Sequence, residues 1–124
     1  MKIHSVNELI EKKDILHGQR IYVEGVLVFD TENVALEHWP KSERGEKSIW
    51  LEQSKGPLRF NPSGMESLSG KKVVALGEFQ SKIELDNDNF YLGFGHFGMW
   101  PAQLVVTEVQ YYKRWNEANG ASET

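Results

Sequence analysis

The side chains able to do chemistry in this chain are few and scattered. His4, His17, His38 and His96 form no i, i+4 pair and no H-E-x-x-H, so no helix presents two imidazoles to a metal. Glu37-His38 and His96 could converge in the folded chain as an acid–base or metal-binding group, but isolated histidines are more often packed or solvated. Ser48, Ser54 and Ser63 lie in no nucleophile elbow, and no Ser/His/Asp trio stands out. With no cysteine there is no thiolate chemistry, no disulfide and no cysteine-based zinc site. The expectation is a protein that is not an enzyme, with no catalytic residue, no metal and no cofactor.

Two strings resemble ligand motifs and fail on context. Gly93-Phe94-Gly95-His96-Phe97-Gly98 is a literal G-x-G-x-x-G, but Met99-Trp100-Pro101 and a β-rich segment come directly after it. A pyrophosphate site needs a helix N-terminus there. The glycines fit better with a tight loop that folds back so that Phe94, Phe97 and Trp100 plug one end of the molecule, given the area aromatic rings bury. Asp86-Asn87-Asp88-Asn89 begins like a calcium loop, yet Phe90, Leu92 and Phe97 occupy liganding positions, so a solvated turn is the better reading. Asn61-Pro62-Ser63 is not a glycosylation acceptor, because proline sits in the middle.

The elements that would position these residues are legible from pattern. At 124 residues, 40% apolar and 26% charged, the chain fits one globular domain. It carries no apolar run near the ~20 residues a membrane helix needs and no apolar leader at Met1–Ser5. A cytoplasmic location is expected. Ser5-Val6-Asn7-Glu8 is a capping box opening a short amphipathic helix over 6–13, and His17-Gly18 turns the chain. A long strand from Gln19 to Phe29 places Ile21, Val23, Leu27 and Phe29 on one face. Gly25 in its middle marks a bulge or a sharp coil. Asp30 to Asn33 is a turn, Val34 to Trp39 a second strand, and Ser48 to Gln53 a third. A short helix spans Met65 to Leu68, a fourth strand runs from Lys71 to Phe79, and a fifth from Ala102 to Tyr112. Residues 113–124 show no sustained pattern and are expected to fray as a flexible tail beyond a single domain of residues 1–112.

Five strands with a helix between the third and fourth, a curled first strand carrying Gly25, and a leading helix resemble the OB-fold, the oligonucleotide/oligosaccharide-binding barrel, over roughly residues 5 to 112. The fold class expected is therefore all-β with minor α: a five-stranded Greek-key barrel. The resemblance implies a ligand face on the outside of the second and third strands. If Val34, Leu36, Ile49 and Leu51 face the core, Trp39 and Trp50 stand on that face, where aromatics stack on bases or sugars. A one-residue slip of register would reverse the assignment.

Charge decides among ligands. Net charge is −4, and the loops flanking the face are acidic: Asp30 and Glu32 in one, and Glu84, Asp86 and Asp88 in the other. Phosphate neutralisation by Lys and Arg dominates nucleic-acid affinity, so acidic rims disfavour it. The expectation is a binding module meeting a protein partner through Trp39, Trp50, Glu37, His38, Asp30, Glu32 and His96. The acid rim suits a basic partner, an inhibitor- or immunity-type protein being one version. The alternative is a single-stranded nucleic-acid binder that stacks bases on Trp39 and Trp50 and holds the backbone with Lys41, Arg44 and Lys47. No membrane association is expected.

Overall fold

The computed structural model describes residues 2–30, 33–40, 47–53, 66–81, 94 and 100–118. In chain order the elements are β1 (Ile3–Ser5), α1 (Val6–Glu11), α2 (Lys13–Leu16), β2 (Arg20–Phe29), β3 (Val34–Glu37), β4 (Ser48–Gln53), β5 (Lys72–Gln80), β6 (Gln103–Tyr111) and α3 (Tyr112–Ala118). Residues 66–68 are also helical. The sheet runs β1-β2-β3-β4-β6-β5, and β2 pairs with β5 as well, so strands β2 to β6 close into a five-stranded barrel. The β4–β6 pair is parallel; β2–β3, β3–β4, β5–β6 and β2–β5 are antiparallel. No helix among the described residues is long and apolar enough to cross a membrane.

Period-two alternation fills the barrel. Ile21, Val23 and Leu27 of β2, Leu36 of β3, Ile49 and Leu51 of β4, Val73, Ala75 and Phe79 of β5, and Leu104 and Val106 of β6 point inward and form one cluster. Burying each such aliphatic side chain contributes about 1.5–3 kcal/mol. Val6 and Leu9 of α1 and Leu16 of α2 join the same cluster, so the N-terminal helices stopper the barrel. Ser5 caps α1 by accepting the Glu8 amide at 3.2 Å, while the Glu8 carboxylate engages Lys2 and Lys12. The helix expected over 6–13 is interrupted at Lys12, whose φ of −109° and ψ of 25° separate α1 from α2.

Gly25 is the point where the outer edge of β2 passes from β1 to β3: Ser5 pairs with Glu24 and Glu37 with Val26. A Cβ at Gly25 would lie 2.7 Å from Leu36 Cγ and closer still to the Glu37 carbonyl oxygen, so glycine is required by close approach of two strands. The register shift lies elsewhere, between Leu76 and Gly77 on β5, where Thr107 of β6 is the extra residue. Its hydroxyl donates to the Leu76 carbonyl and accepts from Arg20 Nη2, each at 3.2 Å, which satisfies the polar groups of the bulge.

Beyond β6 the structure corrects the expected frayed tail. Residues 112–118 form α3, whose Trp115 is only 5% exposed and packs at 6.0 Å, centroid to centroid, against Tyr22 on the outside of β2. Strand β1 was likewise not expected; it pairs in parallel with Tyr22 to Glu24. Residues 119–124 and the Asp86–Asn89 string lie outside the described residues.

Candidate functional site on the outer barrel face

Because Ile49 and Leu51 face inward, Ser48, Trp50 and Glu52 of β4 face out, and register places Ala35 of β3 beside Trp50 and Glu37 beside Ser48. Two aromatic clusters stand on the barrel exterior, and each holds one of the tryptophans expected there.

The first is built around Trp50. Its ring lies 5.0 Å from that of Trp100 at an interplanar angle of 56°, a tilted arrangement that aromatic quadrupoles favour. The Trp50 Nε1–H donates to Glu52 Oε2 at 2.9 Å, and the Trp100 Nε1–H to Ser48 Oγ at 3.1 Å. Trp100 is held there by paired backbone hydrogen bonds with Phe94, of 2.8 and 3.0 Å. This corrects the expectation that Trp100 plugs a barrel end: it lies against the outside of β4. Phe94 is buried as expected, and Phe97 is outside the described residues. Trp50 is half-buried beneath this arrangement, and Ala35 beside it is only 3% exposed.

The second cluster joins three distant stretches of chain around one ammonium group. Lys72 Nζ, at the start of β5, lies 3.7 Å from the centre of the Tyr112 ring and 5.0 Å from that of Trp39, and 3.6 Å from Glu24 Oε2. Two ring faces and a carboxylate thus share the charge. Trp39 follows β3 and remains 39% exposed. Tyr112 in turn stacks on Trp115 at 6.4 Å. Glu37 is half-buried and outward, in the row Ser48, Glu37, Val26, Lys72 that runs across β4, β3, β2 and β5.

The other expected site residues have local duties. His38 Nδ1 accepts the Asn7 amide at 3.2 Å, so it caps the first turn of α1 beside Ser5, and its own amide donates to the Lys47 carbonyl at 3.0 Å. Asp30 Oδ1 accepts the Asn33 amide at 2.8 Å and closes the β2–β3 turn. Lys47 is exposed at the entry to β4. Glu32, Lys41, Arg44 and His96 lie outside the described residues, and so does any meeting of His96 with Glu37 and His38. Among the described residues no three His, Cys, Asp or Glu side chains converge as a metal site.

At the base of α1, Glu8 gathers charge. Burial raises its pKa, but Lys2 Nζ at 3.1 Å, His4 and Lys12 outweigh that and hold the carboxyl below its usual range. His4 Nδ1 lies 3.2 Å from Glu8 Oε1 without the alignment of a hydrogen bond.

Sequence reasoning missed Lys72, Tyr112 and Trp115. Their signal was present: Tyr112 and Trp115 are spaced three apart, as one helix face requires, and Lys72 precedes an inward Val73. Compared with protein-family models, with curated proteins and with solved structures, the chain matches none of them.

Proposed function

We propose that this chain is an OB-like, non-enzymatic binding module that works in the cytoplasm and engages a protein partner through the exterior of β2, β3 and β4, with Trp39 as its central anchor. The observation that carries this reading is the state of Trp39: a large side chain, 39% exposed, whose ring already rests beside the Lys72 ammonium. Tryptophans are among the side chains on which interface energy concentrates, and contacts made in advance leave less rotamer freedom to be lost on binding. Glu37 lies on the same outer face, which suits a basic partner such as the target of an inhibitor- or immunity-type protein.

The single-stranded nucleic-acid reading is less well served. Trp50 is packed against Trp100 and donates to the Glu52 carboxylate, so a base stacking on it would meet a second ring and a negative charge. Lys72, whose ammonium lies 5.0 Å from the centre of the Trp39 ring, is already shared between two rings and Glu24.

A photo-crosslinking residue placed at position 37 in the producing cell tests the reading. A discrete protein adduct, lost with Trp39→Ala, is the expected result. Salt-dependent binding of labelled dT or rU oligomers, abolished by Trp39→Ala, would reverse it.

A further inference from the structure

A pocket of about 440 Å³ opens between α1 and the start of β4. Ile10 and Pro101 give it aliphatic walls, Trp100 an aromatic one, and Lys47 and Ser48 its polar side chains. The volume falls within the roughly 300–1,000 Å³ typical of small-molecule sites, which combine apolar walls with a few placed polar groups. The polarity is one-sided. Ser48 Oγ accepts the Trp100 indole N–H at 3.1 Å, which directs the hydroxyl proton away from the indole and leaves it to donate. Lys47 is an exposed ammonium, a donor only. Described lining side chains thus offer a cation and a hydroxyl donor beside a flat ring held in place by the Phe94 bridge and the packing of Trp50.

We infer that this pocket is a binding site for a small aromatic carboxylate, its ring lying along Trp100 between Ile10 and Pro101 and its anionic head meeting Lys47 and the Ser48 hydroxyl. The inference does not use Trp39, although Ser48 lies in the outer row that also carries Glu37.

The test uses three probes with one ring and different heads: 2-naphthoate, 2-naphthamide and 2-naphthylmethylamine. Each is titrated against the full-length, ¹⁵N-labelled protein while the Trp100 indole signal is followed. Naphthoate should shift that signal saturably and the amine should not. Lys47→Gln should weaken naphthoate about fivefold, the size of a solvent-exposed ion pair. Ile10→Trp, which fills the pocket, should abolish the shift while the other indole signals stay in place. Equal binding of all three probes, an unchanged affinity in Lys47→Gln, or no shift at millimolar naphthoate would each overturn the inference. A dT oligomer that moves the Trp100 signal where naphthoate does not would overturn it too.

Discussion

Lys72 and Tyr112 begin β5 and α3 respectively, and the ammonium of the first lies 3.7 Å from the ring centre of the second. The contact ties the last helix to the barrel at the strand that closes it. Trp39 shares the same ammonium at 5.0 Å, so one side chain couples α3 to the proposed recognition ring.

Lys72→Met keeps most of the side-chain volume and removes the charge. It should lower stability by about 1–2 kcal/mol, since two ring faces lose their cation in a partly desolvated site. Lys72→Arg should recover most of the loss. Urea unfolding midpoints of the three proteins decide, and equal midpoints would show that the ammonium contributes nothing.

Trp115→Ala should destabilise the protein by about 3 kcal/mol, the usual effect of emptying a buried aromatic site. The same change should raise proteolysis after Lys113 and Arg114. If residues 112–118 did fray, neither measurement would move.

Gly25→Ala should cost about 3 kcal/mol or prevent folding, because the added carbon meets strand backbone on β3 as well as the Leu36 side chain. Gly77→Ala should behave alike: its Cβ would lie 2.9 Å from Val106 Cα and closer to the Val105 carbonyl. Thermal melts of the purified variants, or their failure to appear in the soluble fraction, supply the readout.

Ser5→Ala should cost about 1 kcal/mol through the lost cap of α1, and His38→Phe a similar amount through the lost acceptor for Asn7. Both act on one helix end, so the double variant should depart from additivity by at least about 0.5 kcal/mol. Strict additivity in chemical denaturation would mean that the two acceptors work independently.

Glu8 gives the stability a dependence on acid. Its folded pKa is depressed, so its contribution is present above the unfolded value of about 4.3 and is lost as pH falls through the lower folded value. Glu8→Gln should therefore flatten the fall in unfolding midpoint below that pH and leave the neutral-pH slope alone. Parallel pH profiles for the two proteins would remove Glu8 from the account.

Much of the barrel was readable from alternation alone. The inward sets on β2 and β4 follow from the positions of Ile21, Val23, Ile49 and Leu51, and the turn at Asp30 from residue chemistry. The site was readable only in outline. Trp50 was placed on the correct face, but that Trp100 would settle against it depends on a backbone bridge to Phe94 that no local pattern announces. By sequence alone Lys72 falls in a basic group with Lys55, Arg59 and Lys71 around the short helix, at the other end of the barrel, because its partners Glu24, Trp39 and Tyr112 come from separate parts of the chain. Helix α3 was missed because its apolar spacing is brief, and it is the packing of Trp115 on Tyr22, not propensity, that stabilises so short a helix.

The parallel pairing of β4 with β6 has a consequence for synthesis. Strand β6 lies between β4 and β5, so neither of those can find its second neighbour until the final stretch has left the ribosome. Until then a nascent chain carries two open edges, each a template for intermolecular pairing. Premature termination anywhere before Gln103 should thus yield an adhesive fragment instead of a smaller working domain.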